Sequence, residues 1–357
     1  MTVVGVVGGG QLGRMLALAG VPLGVRCICV EPAEDPPAAA VAEVVKAAYG
    51  DRDALALLAR RCDVITIEIE HVDVAALSEL DPNLPLMPNL AAVRATQDRL
   101  AEKRALQAAG VATAAFAEPH EAPRGFPGGS IVKVRTGGYD GRGQLRVPPG
   151  GDVIAASRSL GAPAIVEQVV RFDRELSIVA ARSTSGEVRC YPLVENRHAD
   201  GILRETVAPA PGVTATLQAE AEALVSALLS SLDYVGVIAV ELFDVDGHLV
   251  ANEVAPRVHN SGHWTIEGAR TSQFEQHLRA ILGWPLGDPS PVGHAAMVNL
   301  IGHEPPMGAL LAIDGAHVHR YGKAARPGRK LGHVTAVAPT ESERDCLLDR
   351  VTDLVIS

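Results

Sequence analysis

The chain opens with a strand, a glycine-rich turn and a helix, and this opening limits the possible folds more than any other segment. Residues Thr2 to Val7 form an almost continuous valine run, which is typical of a strand buried on both faces of a parallel sheet. The sequence GGGQLG follows at residues 8–13 and is called the glycine turn below. Further strands are predicted at 25–30 and 63–69, with a helix at 53–61 between them. This alternation predicts a small doubly wound α/β unit that ends near residue 94.

The segments beyond residue 94 follow a different pattern and predict an α+β architecture. Helices are predicted for residues 98–109 and 214–232, and a β-hairpin is predicted around Asp246-Gly247. After about residue 286 the chain is punctuated by proline and glycine. That punctuation predicts short strands, followed by a short C-terminal helix.

The composition is that of a soluble globular protein with two or three domains. The 357 residues are 47% apolar, and a formal net charge of −10 argues against a nucleic-acid surface. The N-terminus lacks the basic region and cleavage site of a signal peptide, and no apolar run is long enough to predict a membrane span. Five scattered cysteines predict buried free thiols in a reducing compartment, here the cytoplasm.

A second glycine-rich segment, KVRTGGYDGRGQ at residues 133–144, follows a predicted strand. Its four glycines leave backbone N–H groups uncovered, and consecutive uncovered N–H groups form a concave site for an anion. The nearby lysine adds a positive charge. The pattern differs from the P-loop motif, so the ordinary P-loop is excluded. Two interpretations remain at this point, a mobile phosphate clamp and a tight turn with solvated charges.

The glycine turn itself matches the dinucleotide fingerprint G-x-G-x-x-G at Gly8, Gly10 and Gly13, with Glu31 at the end of the second strand. The match leaves three alternatives open. The turn could bind a nicotinamide dinucleotide, another phosphate ligand, or no ligand at all.

The predicted hairpin carries Glu241 on one strand and Asn252 and Glu253 on the other. A two-residue loop would pair Glu241 with Asn252, whereas a three-residue loop would pair Glu241 with Glu253. Two opposed carboxylates are unfavourable unless a cation neutralises them, and Mg²⁺ prefers a few carboxylates together with phosphate oxygens. The alternative is that one glutamate faces solvent and the pair never meets.

Three further segments carry polar residues at high density. The polar segment APRVHNSGHW, residues 255–264, directly follows Glu253 and could be a substrate loop or an ordinary polar loop. The basic loop KAARPGRKLGH, residues 323–333, could capture a phosphate monoester or be solvated. The segment IVEQVVRFDRE, residues 165–175, predicts a strand at 166–170 that carries Glu167. The backbone groups of this strand could contact an adenine edge while Glu175 takes a ribose hydroxyl.

The order of these segments resembles the ATP-grasp superfamily. More closely, the chain is similar to the N5-carboxyaminoimidazole ribonucleotide synthetase family, the ATP-dependent carboxylases of bacterial and fungal purine synthesis. The segments that carry the resemblance are GGGQLGRML, KVRTGGYDGRGQ, YPLVENRHADGILR, ANEVAPRVHNSGHW and RPGRKLGH. The resemblance implies an N-terminal Rossmann-like pre-ATP-grasp domain at 1–94, a central lid at 95–170 and a C-terminal ATP-grasp domain at 171–357. The last domain would include a small β-rich part at about 286–357.

The resemblance also implies ligands for particular residues. ATP would be contacted by Arg99, Lys133, Glu167, Gln168, Val169, Val170, Glu175, His198, Asn252 and Glu253. A glycine flap of Gly138, Tyr139, Asp140, Gly141, Arg142, Gly143 and Gln144 would close over its phosphates. Mg²⁺ would be held by Glu241 and Glu253. Aminoimidazole ribonucleotide would be surrounded by Glu70, Tyr139, Asp140, Arg142, His259, Asn260, Lys323, Arg326, Arg329 and Lys330. The chemistry would depend on Lys133, Asp140 and Arg142.

The implied reaction joins aminoimidazole ribonucleotide and bicarbonate at the expense of ATP, in a homodimer with no nucleic-acid or membrane partner. In this family the glycine turn helps to build the ribonucleotide site and binds no nicotinamide cofactor. Formate-dependent glycinamide ribonucleotide transformylase and biotin carboxylase are the nearest alternatives, because both share the flap and the metal carboxylates. A nicotinamide oxidoreductase and a non-catalytic nucleotide-binding regulator are the alternatives from other classes.

Overall fold

The first part of the chain folds into a parallel sheet with the strand order β3-β2-β1-β4. The structure of the whole chain is a computed structural model that describes residues 1–81, 83–138 and 141–356. The elements of the first part are β1 (Val3–Val7), α1 (Gln11–Gly20), β2 (Arg26–Val30), β3 (Glu43–Val45), α2 (Arg52–Arg61), β4 (Val64–Ile67), α3 (Val74–Leu77) and α4 (Leu90–Gln97). Val4, Val6 and Val7 are fully buried because helices cover both faces of the sheet. The predicted doubly wound unit is therefore confirmed, although β4 ends two residues earlier than predicted.

A four-stranded antiparallel sheet in the order β5-β8-β6-β7 follows. Its elements are α5 (Arg99–Ala108), β5 (Phe116–Ala117), β6 (Ser130–Val134), β7 (Gln144–Val147), α6 (Val153–Ser159) and β8 (Ala164–Gln168). Strands β6 and β7 pair in antiparallel fashion from Ser130↔Val147 to Lys133↔Gln144. The second glycine-rich segment is thus the connection between two paired strands. Tyr139 and Asp140 in its middle lie outside the described residues.

The rest of the chain builds one nine-stranded sheet in the order β14-β13-β9-β11-β12-β15-β17-β16, with β10 paired to β9. Its strands are β9 (Arg174–Arg182), β10 (Val188–Cys190), β11 (Val194–Ala199), β12 (Ile202–Ala208), β13 (Gly236–Val245), β14 (His248–Ala255), β15 (His294–Ile301), β16 (Ala316–Arg320) and β17 (Lys330–Ala338). The helices of this part are α7 (Ala215–Ser231), α8 (Thr265–Gly268), α9 (Gln273–Ile281), α10 (Met307–Leu311) and α11 (Glu341–Ile356). The strands predicted after residue 286 continue this sheet. The C-terminal helix was predicted to be short, but α11 has 16 residues.

Helix α7 shows why the sequence forms these elements. The side chain of Thr214 accepts a hydrogen bond from the N–H of Leu217 and so caps the first turn. Leu217, Ala221, Val225 and Leu228 recur three or four residues apart and are buried against the sheet. The predicted helix is confirmed.

The parallel sheet and the nine-stranded sheet meet at α9. His277 on this helix is fully buried, and its Nε2 lies 2.8 Å from the hydroxyl of Thr66 in β4. Its Nδ1 accepts a hydrogen bond from the N–H of Val237 in β13 at 3.0 Å. One side chain therefore bridges strands of two different sheets.

All five cysteines are free thiols. Cys27, Cys29 and Cys62 are buried in the parallel sheet unit, and burial raises the pKa of Cys27 to about 12. Cys346 is exposed on α11, so the prediction of buried thiols was wrong for that residue. Among the described residues, no helix is both long and apolar enough to cross a lipid bilayer.

Candidate active site

The β13–β14 hairpin places two carboxylates opposite each other. Its loop has two residues, because Val245 pairs with His248, and positive φ angles at Asp246 and Gly247 suit a tight hairpin turn. The pairing then shifts between Glu241 and Leu242, so that Glu241 lies opposite Glu253. Neither of the two loop lengths considered from the sequence predicted both the loop and the pairing correctly. The loop is the shorter one, but Asn252 is an extra residue in a β-bulge and restores the carboxylate pair.

The two carboxylates lie deep in a cleft but remain open to it, with 23% of the Glu241 side chain and 41% of the Glu253 side chain exposed. Burial and the charge of Glu253 raise the pKa of Glu241. Burial acts in the same direction on Glu253, but Arg99 Nη1 donates to its Oε2 at 2.9 Å and holds the pKa of Glu253 below the usual value. The pKa values of the two carboxylates thus shift in opposite directions.

The donor set of this pair suits Mg²⁺. It consists of oxygen atoms, from the two carboxylates and the amide of Asn252, and hard cations of this size prefer oxygen ligands. No group of three or more acidic, histidine or cysteine side chains with the geometry of a metal site occurs among the described residues. The two carboxylates therefore fit an ion that takes its other ligands from a bound phosphate and from water.

Positive charge faces the carboxylates from the antiparallel sheet. Lys133 Nζ on β6 lies 2.9 Å from Glu167 Oε2 on β8 and 3.4 Å from Asn252 Oδ1. Arg99 also donates to the carbonyl of Gly138, at 3.1 Å. Lys133 and Arg99 thus lie between the carboxylate pair and the start of the glycine flap, where a phosphate chain would find two cations.

The segment after β8 and the strand β11 supply the next residues. The N–H groups of Gln168 and Val169 donate to the carbonyls of Ala115 and Gly129, so neither is free for an adenine edge. The predicted adenine contact through backbone groups therefore cannot use these two N–H groups. The strand ends at Gln168 and does not reach Val170 as predicted.

Glu175 and His198 form a pair across β9 and β11. His198 Nδ1 contacts Glu175 Oε2, and burial, which lowers the pKa of His198, is outweighed by this contact together with the charges of Glu241 and Glu175, so the pKa is raised. The charge of Lys330 in the basic loop also acts on His198.

The polar segment and the basic loop supply further residues near the carboxylate pair. Glu70, after β4, forms an ion pair with Arg257, and Asn260 exchanges hydrogen bonds with Asn299 at 2.7 and 3.1 Å. His259 Nε2 lies 3.5 Å from Glu241 Oε1. Because burial and the charge of Arg257 keep the pKa of His259 well below 6.5, this ring is neutral. The polar segment therefore connects the carboxylate pair to Glu70.

Lys323 in the basic loop contacts Gln11 at the start of α1. Burial and the neighbouring charge of Arg329 lower the pKa of Lys323 to about 8. Lys330 is half-buried at the start of β17, whereas Arg326 is exposed. Part of the basic loop is thus folded back onto the parallel sheet unit, and part of it faces solvent.

The backbone conformation of the described part of the glycine flap favours glycine at two positions. Gly141 and Gly143 have φ angles of 73° and 72°, which L side chains rarely adopt. A Cβ atom on Gly141 would lie 3.0 Å from Gly201 Cα and 3.2 Å from the carbonyl oxygen of Asp200, in the turn between β11 and β12. Glycine at residue 141 thus permits close contact between the flap and that turn. Arg142 and Gln144 are exposed beside it.

The glycine turn is occupied by carboxylates of the same chain. The N–H groups of Gly10 and Gly13 donate to Glu68 at 2.6 and 2.8 Å, and the N–H of Gly9 donates to Glu31 at 2.9 Å. A Cβ atom on Gly8 would lie 2.3 Å from Cγ of Glu68. These glycines therefore make room for a buried glutamate, and the N–H groups that would hold a pyrophosphate are already bonded.

Comparison with known proteins places the chain in a family. Three family models match it: the ribonucleotide synthetase preATP-grasp domain at residues 1–97, the ATP-grasp domain at 104–274 and the phosphoribosylaminoimidazole carboxylase C-terminal domain at 295–345. N5-carboxyaminoimidazole ribonucleotide synthase of Pseudomonas aeruginosa is 48% identical over 341 residues, which cover 93% of each chain. The chain belongs to the N5-carboxyaminoimidazole ribonucleotide synthase family.

Solved structures of the N5-carboxyaminoimidazole ribonucleotide synthase family have the same fold. The synthetase from Thermus thermophilus superposes with a TM-score of 0.93 at 47% identity and covers 99% of both chains. The synthase from Aspergillus clavatus, in complex with ADP and 5-aminoimidazole ribonucleotide, superposes with a TM-score of 0.88 at 33% identity. That match covers 99% of this chain and 98% of the fungal one. The ATP-grasp fold predicted from the sequence is confirmed, and membership of this family decides against the transformylase, biotin carboxylase and oxidoreductase alternatives.

Sequence reasoning missed two features of the site in this family member. Glu68 was not singled out, although it ends a parallel strand next to β1, and the carboxyl ends of such strands converge on the turn after β1. Lys103 and Glu102 on α5 were also missed, because charged residues in a helix are usually exposed. Both are buried against the bulge in β14.

Proposed function

We propose that this protein carboxylates the exocyclic amine of 5-aminoimidazole ribonucleotide with bicarbonate and ATP, and releases ADP and phosphate. The observation that carries the proposal is the pairing of Glu241 with Glu253, which places two carboxylates between a cationic pocket and the polar segment. Support comes from the relatives, since the Aspergillus clavatus enzyme has been solved with ATP and with ADP plus 5-aminoimidazole ribonucleotide. The reaction is a step of purine biosynthesis.

The ATP end of the cleft is assigned from its charges. Arg99 and Lys133 would hold the phosphates. Arg99 donates a hydrogen bond to Glu253, and Lys133 lies 3.4 Å from the side-chain oxygen of Asn252 beside it. Glu175 and His198 would hold the ribose, and the base would lie along residues 167–170. Phosphoryl transfer depends on positioning and charge neutralisation, and these residues supply both.

Magnesium is the expected cofactor. Glu241 and Glu253 would hold it, with Asn252 beside them, and its chemistry would be to neutralise charge on the phosphates. The flap residues Gly138, Tyr139, Asp140, Gly141, Arg142 and Gly143, with Gln144, would exclude water from the phosphates, which protects an intermediate that water would hydrolyse.

The acceptor is assigned to Glu70, the polar segment and the basic loop. Glu70, His259 and Asn260 would surround the imidazole and ribose, and Lys323, Arg326, Arg329 and Lys330 would bind the monoester phosphate. Arginine offers two parallel hydrogen bonds to such a group, and Lys323 adds a charge beside α1.

The chemistry has two steps. An oxygen of bicarbonate attacks the γ-phosphorus of ATP, the bond to the β-phosphate oxygen breaks, and carboxyphosphate and ADP form. The exocyclic amine then bonds to the carboxyl carbon of carboxyphosphate as phosphate departs, or to the carbon of CO₂ after carboxyphosphate has broken down to CO₂ and phosphate. One amine proton is lost, and we assign its removal to Asp140, which lies outside the described residues.

An assay of ADP release tests the reaction. Release is expected only when both aminoimidazole ribonucleotide and bicarbonate are present. Release supported by formate and glycinamide ribonucleotide instead would overturn the proposal. Asp140→Asn is expected to lose most of kcat at saturating ribonucleotide, and near wild-type kcat would remove the role assigned to Asp140.

The resemblance further implies that the protein is a cytoplasmic homodimer. Sedimentation equilibrium should give twice the mass of one 37.3 kDa chain. A single-chain mass at micromolar concentration would exclude the dimer.

A further inference from the structure

The bulge in β14 lets the side chains of two neighbouring residues, Asn252 and Glu253, point to the same side of the sheet. In a regular strand, successive side chains point to opposite faces of the sheet. Here the Asn252 amide lies 3.4 Å from Lys133 Nζ, and Glu253 accepts a hydrogen bond from Arg99 at 2.9 Å. Both side chains therefore reach the same cleft, opposite Glu241. The extra residue makes this arrangement possible.

Strand β14 is the edge of the nine-stranded sheet, so its outer backbone groups need other partners. The N–H of Ala251 donates to the carbonyl of Ala112 at 2.8 Å, and helix α5 supplies further partners with two consecutive side chains. Glu102 Oε2 accepts a hydrogen bond from the N–H of Val254 at 3.2 Å. Lys103 Nζ donates to the carbonyl of Asn252 at 2.7 Å and to that of Ala251 at 3.3 Å. The three contacts of these two side chains bracket the bulge on both sides.

Burial of the charged side chains of Glu102 and Lys103 costs free energy, and core packing alone does not explain why they are buried. Glu102 is 3% exposed and Lys103 is 1% exposed. A buried lysine is unfavourable unless its donors are bonded, and apolar residues would fill the same space more cheaply. The carboxylate nearest to Lys103 is that of Glu167 at 3.5 Å, which Lys133 contacts more closely at 2.9 Å. The shortest hydrogen bond of Lys103 is the one to the bulge.

We propose that Glu102 and Lys103 are positioning residues that hold the β14 bulge and so keep Asn252 and Glu253 in the cleft opposite Glu241. They act through the backbone of β14. The part of this inference that concerns metal binding rests on the proposed function, but the part that concerns the backbone does not.

The test replaces Lys103 with methionine, which keeps the length of the side chain and removes its donors. Arg104→Met is the matched control, because Arg104 is the next residue of the helix, is 62% exposed and lies 3.6 Å from Glu118. Hydrogen exchange of residues 249–255 is followed by mass spectrometry, and Mn²⁺ binding is followed by electron paramagnetic resonance. Lys103→Met is expected to exchange at least tenfold faster in this segment and to bind Mn²⁺ at least tenfold more weakly. Arg104→Met should match the wild type in both measurements.

A folded Lys103→Met protein with wild-type exchange in this segment overturns the proposal. If that variant does not fold, Glu102→Leu removes the acceptor for Val254, and unchanged exchange there has the same consequence. Faster exchange with unchanged Mn²⁺ affinity refutes the effect on the metal carboxylates. Failure of the proposed reaction is recognised separately, since wild-type protein would then release no ADP with aminoimidazole ribonucleotide and bicarbonate.

Discussion

The bridge through His277 makes the stability of this protein depend on pH. Because Nδ1 accepts a hydrogen bond from the N–H of Val237, the ring proton is on Nε2, which donates to the hydroxyl of Thr66. Protonation would place a second N–H at Nδ1, directly against the N–H of Val237. Burial adds to this cost and lowers the pKa of His277 to about 4.

The size and sign of the effect follow from this pKa. The ordinary value is 6.5, so between pH 6.5 and 4 the unfolded chain binds more protons at this residue than the folded chain. The stabilisation is therefore complete above pH 6.5 and is lost as the pH falls towards 4. About 2 kcal/mol of the free energy of unfolding should be lost between pH 7 and pH 5.

The assay is urea unfolding of the wild type and of His277→Gln at several pH values between 7 and 5. Glutamine can make both hydrogen bonds but does not titrate, so the difference between the two proteins isolates His277 from the other acid-sensitive groups. The stability advantage of the wild type should shrink by about 2 kcal/mol across this range, which is about 3 °C in Tm for a chain of 357 residues. Parallel pH profiles for the two proteins would refute the reasoning, as would a nuclear magnetic resonance titration of His277 with a midpoint near 6.5.

Three further predictions concern the glycine turn and the cleft. Gly8→Ala should destabilise the fold by more than about 3 kcal/mol in urea unfolding, because the added Cβ would overlap Glu68. Gly24→Ala has free space for its Cβ and should cost about 1 kcal/mol. Equal costs for the two variants would contradict the predicted overlap with Glu68. Lys133→Met should raise KM for ATP at least tenfold in steady-state kinetics and should also lower Tm, because the buried Glu167 loses its partner at 2.9 Å. An unchanged KM would remove Lys133 from the phosphate site. Glu241→Gln removes a carboxylate repulsion, so Tm in EDTA should rise by a few degrees while kcat falls at least a hundredfold. A lower Tm would show that the pair is already neutralised without metal.

Most of the fold could be predicted because local signals and packing agree. The valines of β1, the cap and periodicity of α7, and Asp246-Gly247 in the hairpin each specify an element without reference to distant residues. The length of α11 could not be predicted, because its apolar residues form only a weak stripe among charges. It becomes a helix of 16 residues by packing Leu348 and Val351 against β15 and β17.

The site was predicted less completely because its details depend on long-range partners. The types and order of Glu241, Asn252 and Glu253 indicated a cation site, but a strand pattern does not show where an extra residue will be inserted. In the fold, Lys103, which lies about 150 residues earlier in the chain, donates a hydrogen bond to the backbone carbonyl of the extra residue Asn252. Backbone contacts of this kind leave no pattern in the sequence around the bulge.

The glutamate inside the glycine turn has a practical consequence for work on other sequences. A screen that selects dinucleotide-binding proteins by G-x-G-x-x-G would accept this chain, although its turn is already filled by Glu68. A carboxylate at the end of the neighbouring strand is a useful criterion for rejecting such false matches. For an engineer who wished to install a dinucleotide site on this scaffold, residue 68 is the first one to change.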